Sequence, residues 1–168
     1  MNFDYNMARV NKIIRHTDYK KYLVWLSERE RGRKFCCHNL SHFLDVARIA
    51  QVINLEMKLN INVELIYSAA LLHDIGKAVE DTENIGHSKL SARLAKPILH
   101  ECGFLDYEIE FVLDAIVNHN NEKTKGVTSD SLTSLLYRAD KLSRPCYMCD
   151  ARDLCYWSLE NKNLQLKI

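Results

Sequence analysis

Glycine and proline are scarce, five and two in 168 residues. So few turn-forming residues argue against a turn-dense β-barrel or sandwich, and a hydrophobic content of 47% argues against a disordered or collagen-like chain. Charge of one sign is also lacking in excess: Lys plus Arg number 23, Asp plus Glu 22, and the net charge is +1. Without a basic surplus there is no electrostatic footprint for strong non-specific nucleic-acid binding, so nucleic acid is not the expected partner. No apolar run approaches the roughly 20 residues of a membrane span. The opening Met1-Asn2-Phe3-Asp4 has neither the basic nor the apolar region of a secretory signal. The expectation is a soluble, cytoplasmic, single-domain protein with no membrane contact.

What the chain does have is seven His and six Cys. In the absence of a secretory signal, metal or redox chemistry explains such cysteines better than disulfides do.

Helical periodicity dominates, and no long stretch alternates in the manner of a strand. Residues 3–15 and 18–30 read as amphipathic helices, the second ending in a charged run from Glu28 to Lys34. A third helix runs from Asn39 to Leu59, with Leu40, Phe43, Leu44, Ala47 and Ala50 at three- and four-residue steps. Asn62 is the expected N-cap of a fourth helix, apolar nearly all round and therefore central, for which Gly76 offers an end. A polar loop over 77–86 precedes helices at 87–101, 106–119 and 130–143, with Asp106 the expected cap of the middle one and a loop around Gly126 before the last. A polar tail begins at Glu160. The pattern predicts an all-α, single-domain bundle of six to eight helices: N-terminal helices over 1–34, a core over 35–144 and a cysteine-containing segment over 145–168.

His73-Asp74 closes the most apolar helix. An unpaired carboxylate is costly to bury, and a metal cation resolves this by pairing the carboxylate and taking neutral imidazole as a ligand. His42 lies on the preceding helix, one turn after His38, and Asp140 sits late in the chain on a mostly apolar face. His42 followed by Val46-Ala47, then Leu71-Leu72-His73-Asp74-Ile75-Gly76-Lys77, then Ala139-Asp140, together resemble the HD superfamily of metal-dependent phosphohydrolases. The resemblance covers roughly residues 38–144. It implies an all-α bundle in which His42, His73, Asp74 and Asp140 bind a divalent metal.

His87, opening one helix, and His119, closing the next, are similar to the pair that holds a second metal in dinuclear HD enzymes, those that hydrolyse dinucleoside tetraphosphates above all. There the carboxylate in the position of Asp74 bridges both ions. Two cations a few ångströms apart would generate hydroxide at neutral pH and offset charge as phosphorus is attacked. Lys77 resembles the family lysine that contacts a substrate phosphate, and Arg144 and His38 are further candidates for substrate binding. The tetraphosphate hydrolases place an Arg after a Pro-containing turn, whereas the order here is Arg144-Pro145. His16 and His100 read as ordinary surface residues. A His/Asp set suits Fe, Mn, Co, Ni or Zn according to supply.

Cys146, Cys149 and Cys155 fall within ten positions, and Cys36 or Cys37 could complete a tetrad. Four thiolates serve structural zinc and [4Fe–4S] clusters alike, and one early Cys plus C-x2-C-x5-C resembles, in spacing only, the iron–sulfur staple of RecB-type nucleases. Cluster, zinc and free buried thiols all remain open, while Cys102 reads as a packed thiol.

The leading expectation is hydrolysis of phosphoester or phosphoanhydride bonds in a small phosphorylated, nucleotide-like substrate by a metal-bound hydroxide. The rivals are a mononuclear nucleotidase, an oxygen-using di-iron enzyme and, from a different class, a non-catalytic nucleotide or redox sensor that reports iron or oxygen through its cysteines.

Overall fold

A computed structural model describes residues 7–120 and 131–166. Among the described residues there are seven α-helices and no strand: α1 (Ala8–Arg15), α2 (Thr17–Arg29), α3 (Leu40–Glu56), α4 (Val63–Leu72), α5 (His87–Cys102), α6 (Asp106–Asn118) and α7 (Leu132–Leu142). The all-helical bundle expected from periodicity is what forms. The expected loop at Gly126 lies outside the described residues.

The helix ends follow local chemistry. Asn62 Oδ1 accepts from the Glu64 amide at 2.8 Å, as its N-cap position predicts, and Asn39 does the same for His42 at 2.9 Å. Asp106 is not a cap. The amide of Leu105 donates instead to the Glu108 carboxylate at 2.9 Å, so the reaching-back acid three residues into α6 does this work. His16, read as a surface residue, is the N-cap of α2: its Nδ1 accepts from Asp18 at 3.2 Å while Nε2 contacts Glu101 on α5. At the end of α5, Gly103 adopts φ +89°, and the Phe104 amide returns to the Leu99 carbonyl, a left-handed C-terminal stop that buries Phe104.

The central position of α4 is confirmed, since Leu65, Ile66 and every residue from Ser68 to Leu72 are buried, and α3, α6, α1, α5 and α7 all pack against it. Truncating Leu71 or Leu72 to Ala would cost about 2–5 kcal/mol at such a site. Arg9 fastens α1 to this centre: its guanidinium donates to Glu64 and Glu108 at 2.6 Å each and stacks 4.2 Å over the Phe104 ring.

Two local readings need correction. α4 stops at Leu72, and a 3-10 turn (Ile75–Ala78) follows, buried at Ile75, Gly76 and Ala78, so the polar loop begins later than 77. Gly76 is not in the left-handed region. It is glycine because a Cβ there would lie 2.3 Å from the His87 carbonyl oxygen and 2.5 Å from the Ser91 amide, both backbone atoms of α5. The tail beyond Glu160 is also not simply free. Asn163 Nδ2 donates to the carbonyls of Lys141, Leu142 and Arg144 at 2.7, 3.3 and 2.9 Å, covering orphan groups at the end of α7.

Candidate metal centre

Every expected ligand stands at or near a helix end. His42 is in the first turn of α3, His73 caps the C-terminus of α4 with Asp74 next, His87 opens α5, His119 caps the C-terminus of α6, and Asp140 lies in the last turn of α7. Ring centroids link His42, His73, His119 and His87 in an unbroken series, at 5.8, 5.1 and 5.8 Å. All of these side chains but His87 are buried.

The tautomers follow from the second ring nitrogen. His73 Nδ1 lies 2.7 Å from the Ala70 carbonyl and His119 Nδ1 lies 2.6 Å from that of Ile116. A carbonyl can only accept, so each Nδ1 carries the proton and each Nε2 presents a lone pair. Ser143 Oγ donates to the Asp140 carbonyl at 2.8 Å, which leaves its oxygen to accept from His42 Nδ1 at 3.2 Å. Three histidines are thereby oriented with Nε2 inward, by the kind of partner that fixes a metal ligand.

Among the described residues the inward atoms have no hydrogen-bond partner: Nε2 of His42, His73 and His119 and Oδ1 of Asp74 are buried and unsatisfied. Each such group costs about 1–3 kcal/mol unless something answers it. Their separations match what a cation would need. His42 Nε2 is 3.3 Å and His73 Nε2 3.8 Å from Asp140 Oδ1; His73 Nε2 is 3.5 Å from Asp74 Oδ2. From Asp74 Oδ1, His87 Nε2 is 3.4 Å and His119 Nε2 3.6 Å away. Two ligands bound at about 2.0–2.2 Å to one ion sit roughly 3–3.6 Å apart. Two groups therefore fit a cation: His42, His73 and Asp140, and His73, Asp74 and His119. The two carboxylate oxygens of Asp74 face different histidines, as a carboxylate shared between two ions requires. His87 completes the second group less tightly, being part-exposed, with its Nε2 accepting from Asn120 at 2.7 Å.

Burial lowers the His42 imidazole to about 4, against the opposing pull of Asp140. Burial and Lys77 together lower His87 to about 4. Both rings are neutral at pH 7, the form that ligates metal. Burial by itself would raise the Asp74 carboxyl, but the charge of neighbours such as Lys77 outweighs it and holds it well below the usual carboxylate range. Asp140 is likewise held low against burial, with Lys141 beside it.

Lys77 Nζ bonds Asp74 Oδ2, and Arg144 is buried with Nη2 3.1 Å from Asp140 Oδ1. His38 lines the same cavity, but its ring is engaged on both sides: Nδ1 with Glu30, and Nε2 with Lys77 at 3.1 Å and Asp74 at 3.3 Å. Glu30 is the residue sequence reasoning missed. It sits in a charged helix end that reads as solvated surface, and only the fold reveals that α2 packs on the 75–78 turn. The cavity, of about 290 Å³, is lined by Asp74, Lys77, His87 and Asp140, by Arg33, Lys141, Arg144, Arg152 and Lys162, and by Tyr156 and Trp157. Cys36, Cys146, Cys149 and Cys155 line it as well, whereas Cys37 is exposed and Cys102 is buried. Among the described residues no helix is long and apolar enough to cross a membrane.

These features agree with the relatives of the chain. An uncharacterized protein of Clostridium beijerinckii is 45% identical over 160 residues, covering 95% of this chain and 99% of that one. Ribonuclease Y 1 of Pediococcus pentosaceus is 33% identical over 116 residues, 62% of this chain and 22% of its own. Ribonuclease Y of Borreliella burgdorferi is 37% identical over 107 residues, 62% of this chain and 18% of its own. The chain thus spans about a fifth of the ribonucleases it matches, and no solved structure matches it. The model of the HD domain matches residues 39–144, which run from the cap of α3 to the arginine beside Asp140, and the chain belongs to the HD domain family.

Proposed function

We propose that the chain is a metal-dependent phosphohydrolase that cleaves phosphoester or phosphoanhydride bonds of a nucleotide-like substrate. The observation that carries this reading is the convergence of buried, unpartnered imidazole and carboxylate atoms at metal-ligand spacing on the wall of a cation-rich cavity. His42, His73, Asp74, Asp140, His119 and His87 would hold one or two divalent transition metals. Bound ions of this kind supply Lewis acidity, polarising a phosphoryl oxygen and making water nucleophilic at neutral pH.

The chain's own residues do the rest. Asp74, kept ionised in a buried setting, orients the attacking water. Lys77 faces the cavity and donates to phosphate oxygens, its ammonium held in place by Asp74 and His38. Arg144 and Lys141 fix the two oxygens of Asp140, at 3.1 and 2.9 Å. Tyr156 and Trp157 offer flat apolar surface against which a base can stack. A volume of about 290 Å³ lies at the small end of the roughly 300–1,000 Å³ usual for ligand sites, which excludes a duplex. The ribonuclease Y relatives favour a second substrate, the end of a single-stranded RNA, which would enter the same cavity one nucleotide at a time.

The test is turnover with Mn, Fe, Co, Ni or Zn on nucleoside monophosphates, dinucleoside polyphosphates and short RNA. Metal-dependent hydrolysis that disappears in Asp74→Ala, with helical content unchanged, is expected. An active Asp74→Ala protein refutes the mechanism. Tight nucleotide binding without turnover on any substrate would replace it with the sensor reading.

A further inference from the structure

The segment after α7 has little of what ordinarily holds a chain in place. Residues 145–166 contain only three short 3-10 turns, and Cys146 is their one buried residue, while Met148, Leu154, Tyr156, Leu159 and Leu166 are 73% to 78% exposed. Besides the Asn163 bonds, the segment's ring contacts with the bundle are an edge contact between Tyr156 and Phe35 and the Lys141 ammonium over Trp157. Ordering backbone costs about 1–2 kcal/mol per residue, and contacts this sparse do not offset it over such a length. A coreless segment of this kind obtains its folding energy from a staple. Three of its residues are Cys146, Cys149 and Cys155. The cavity wall they line is shared with Cys36, which belongs to the loop between α2 and α3, far away in sequence. All four thiols are free of disulfides.

We propose that Cys36, Cys146, Cys149 and Cys155 bind a metal centre of their own, a [4Fe–4S] cluster that staples the C-terminal segment to the loop preceding α3. Cys37 is excluded by its position: it is exposed, with Sγ turned 3.6 Å from the Phe35 carbonyl, whereas Cys36 is half-buried on the cavity wall. The cavity between the sulfurs favours the larger of the thiolate centres. Zinc bonds of about 2.3 Å draw four sulfurs to within about 3.8 Å of one another. No three cysteine sulfurs here lie within 4.8 Å of each other. Thiolates distributed around a cavity suit a cuboidal cluster, in which each sulfur binds a different iron. The staple would also steady the neighbouring site, because Cys36 is two residues before His38, and Cys146 two residues after Arg144.

The test uses the full chain, produced with ample iron, purified without oxygen or chelating resin and reconstituted with ferrous iron and sulfide. Iron, zinc and acid-labile sulfide are measured per chain, and the electron paramagnetic resonance spectrum is recorded after dithionite reduction. About four sulfides and four irons, beyond any iron in the His/Asp site, are expected; these are retained in Asp74→Ala and Cys102→Ser and lost in Cys149→Ser and Cys155→Ser. Because hydrolysis is not the readout, this result is independent of the proposed activity. A single cysteine-dependent zinc, or iron without sulfide, overturns the cluster. Cysteine variants with wild-type metal content overturn the site itself. Should the variants misfold, the wild type decides: oxidative loss of the cluster should open residues 145–166 to protease while helical content persists, and unchanged resistance overturns the staple.

Discussion

Replacing Gly76 by Ala tests how the site is built more sharply than removing a ligand does. The added Cβ would stand 2.3 Å from the His87 carbonyl oxygen, 2.5 Å from the Ser91 amide nitrogen and 2.8 Å from Ser91 Oγ. The first two belong to the backbone of α5 and cannot rotate away, so α5 must move off the 75–78 turn. Overpacking of this kind costs about 1–3 kcal/mol. The same displacement breaks the buried bond from the Gly76 amide to Ser91 Oγ, 2.8 Å long, and leaves a donor unsatisfied for about 1–3 kcal/mol more. Together these give a loss of about 4 kcal/mol, or roughly 8–16 °C in Tm for a chain of this size. Gly103→Ala is the control: its φ of +89° makes Ala strained, but nothing lies within 4 Å of the new Cβ, so only about 1–2 kcal/mol should go. Unfolding of chelator-treated protein, followed by circular dichroism, measures both. Because His87 opens α5, Gly76→Ala should also weaken the second metal group more than the first, read as loss of one ion per chain. A Gly76→Ala protein no less stable than Gly103→Ala would refute the claim that close helix approach, rather than backbone freedom, requires glycine there.

Two further outcomes follow from the charged groups. His42 is lowered in the fold to about 4 from an unfolded value near 6.5, so the unfolded chain binds more protons between those values. Stability of the metal-free protein should therefore be complete above pH about 6.5 and fall on acidification toward pH 4, with His42 accounting for at most about 3 kcal/mol; His42→Gln should flatten that slope in pH-dependent urea unfolding, and an unchanged slope would count against a buried neutral ring. Arg9→Ala should cost about 2–3 kcal/mol at pH 7, since it strips a cation from Glu64 and Glu108 and uncovers Phe104. Burial would raise the Glu108 carboxyl but Arg9 holds it down, so this contribution is present above the ordinary glutamate pKa and lost below it, and the gap between wild type and variant should close as pH falls below about 4.

The helices were legible in the sequence because each is written locally, and the candidate ligands came from a resemblance spread over three helices. Apolar steps of three and four residues mark α3 and α4, Asn62 marks a start, and the His-Asp pair pointed to a metal only together with His42 and Asp140. Glu30 was not legible, because its partner His38 lies across a turn and its neighbours are charged. Asn163 was hidden in the same way: its three carbonyl acceptors belong to a helix end some twenty residues earlier. Gly76 was read as a stop because a glycine after a helix usually is one. Its real constraint is the backbone of α5, which no local pattern announces. Residues whose function depends on a neighbour along the helix can be read from the sequence, and those that answer a distant backbone need the fold.

The placement of the candidate ligands at helix ends explains how a bundle with so apolar a centre accommodates them. α4, α6 and α7 bring their C-termini to the site through His73, His119 and Asp140, and each C-terminus carries roughly half a negative charge from its unpaired carbonyls. Those ends favour cations before any carboxylate is counted. His73 and His119 each return Nδ1–H to a carbonyl three residues back, so one ring both satisfies a helix end and turns its lone pair inward. The N-termini of α3 and α5 approach from the other side, near His42 and His87, with the opposite polarity. An anion meeting the cavity therefore finds positive helix ends, Lys77 and Arg144, while a cation finds carbonyl ends, imidazoles and two carboxylates. The fold presents both polarities within one small cavity, the electrostatic arrangement that the proposed hydrolysis would use.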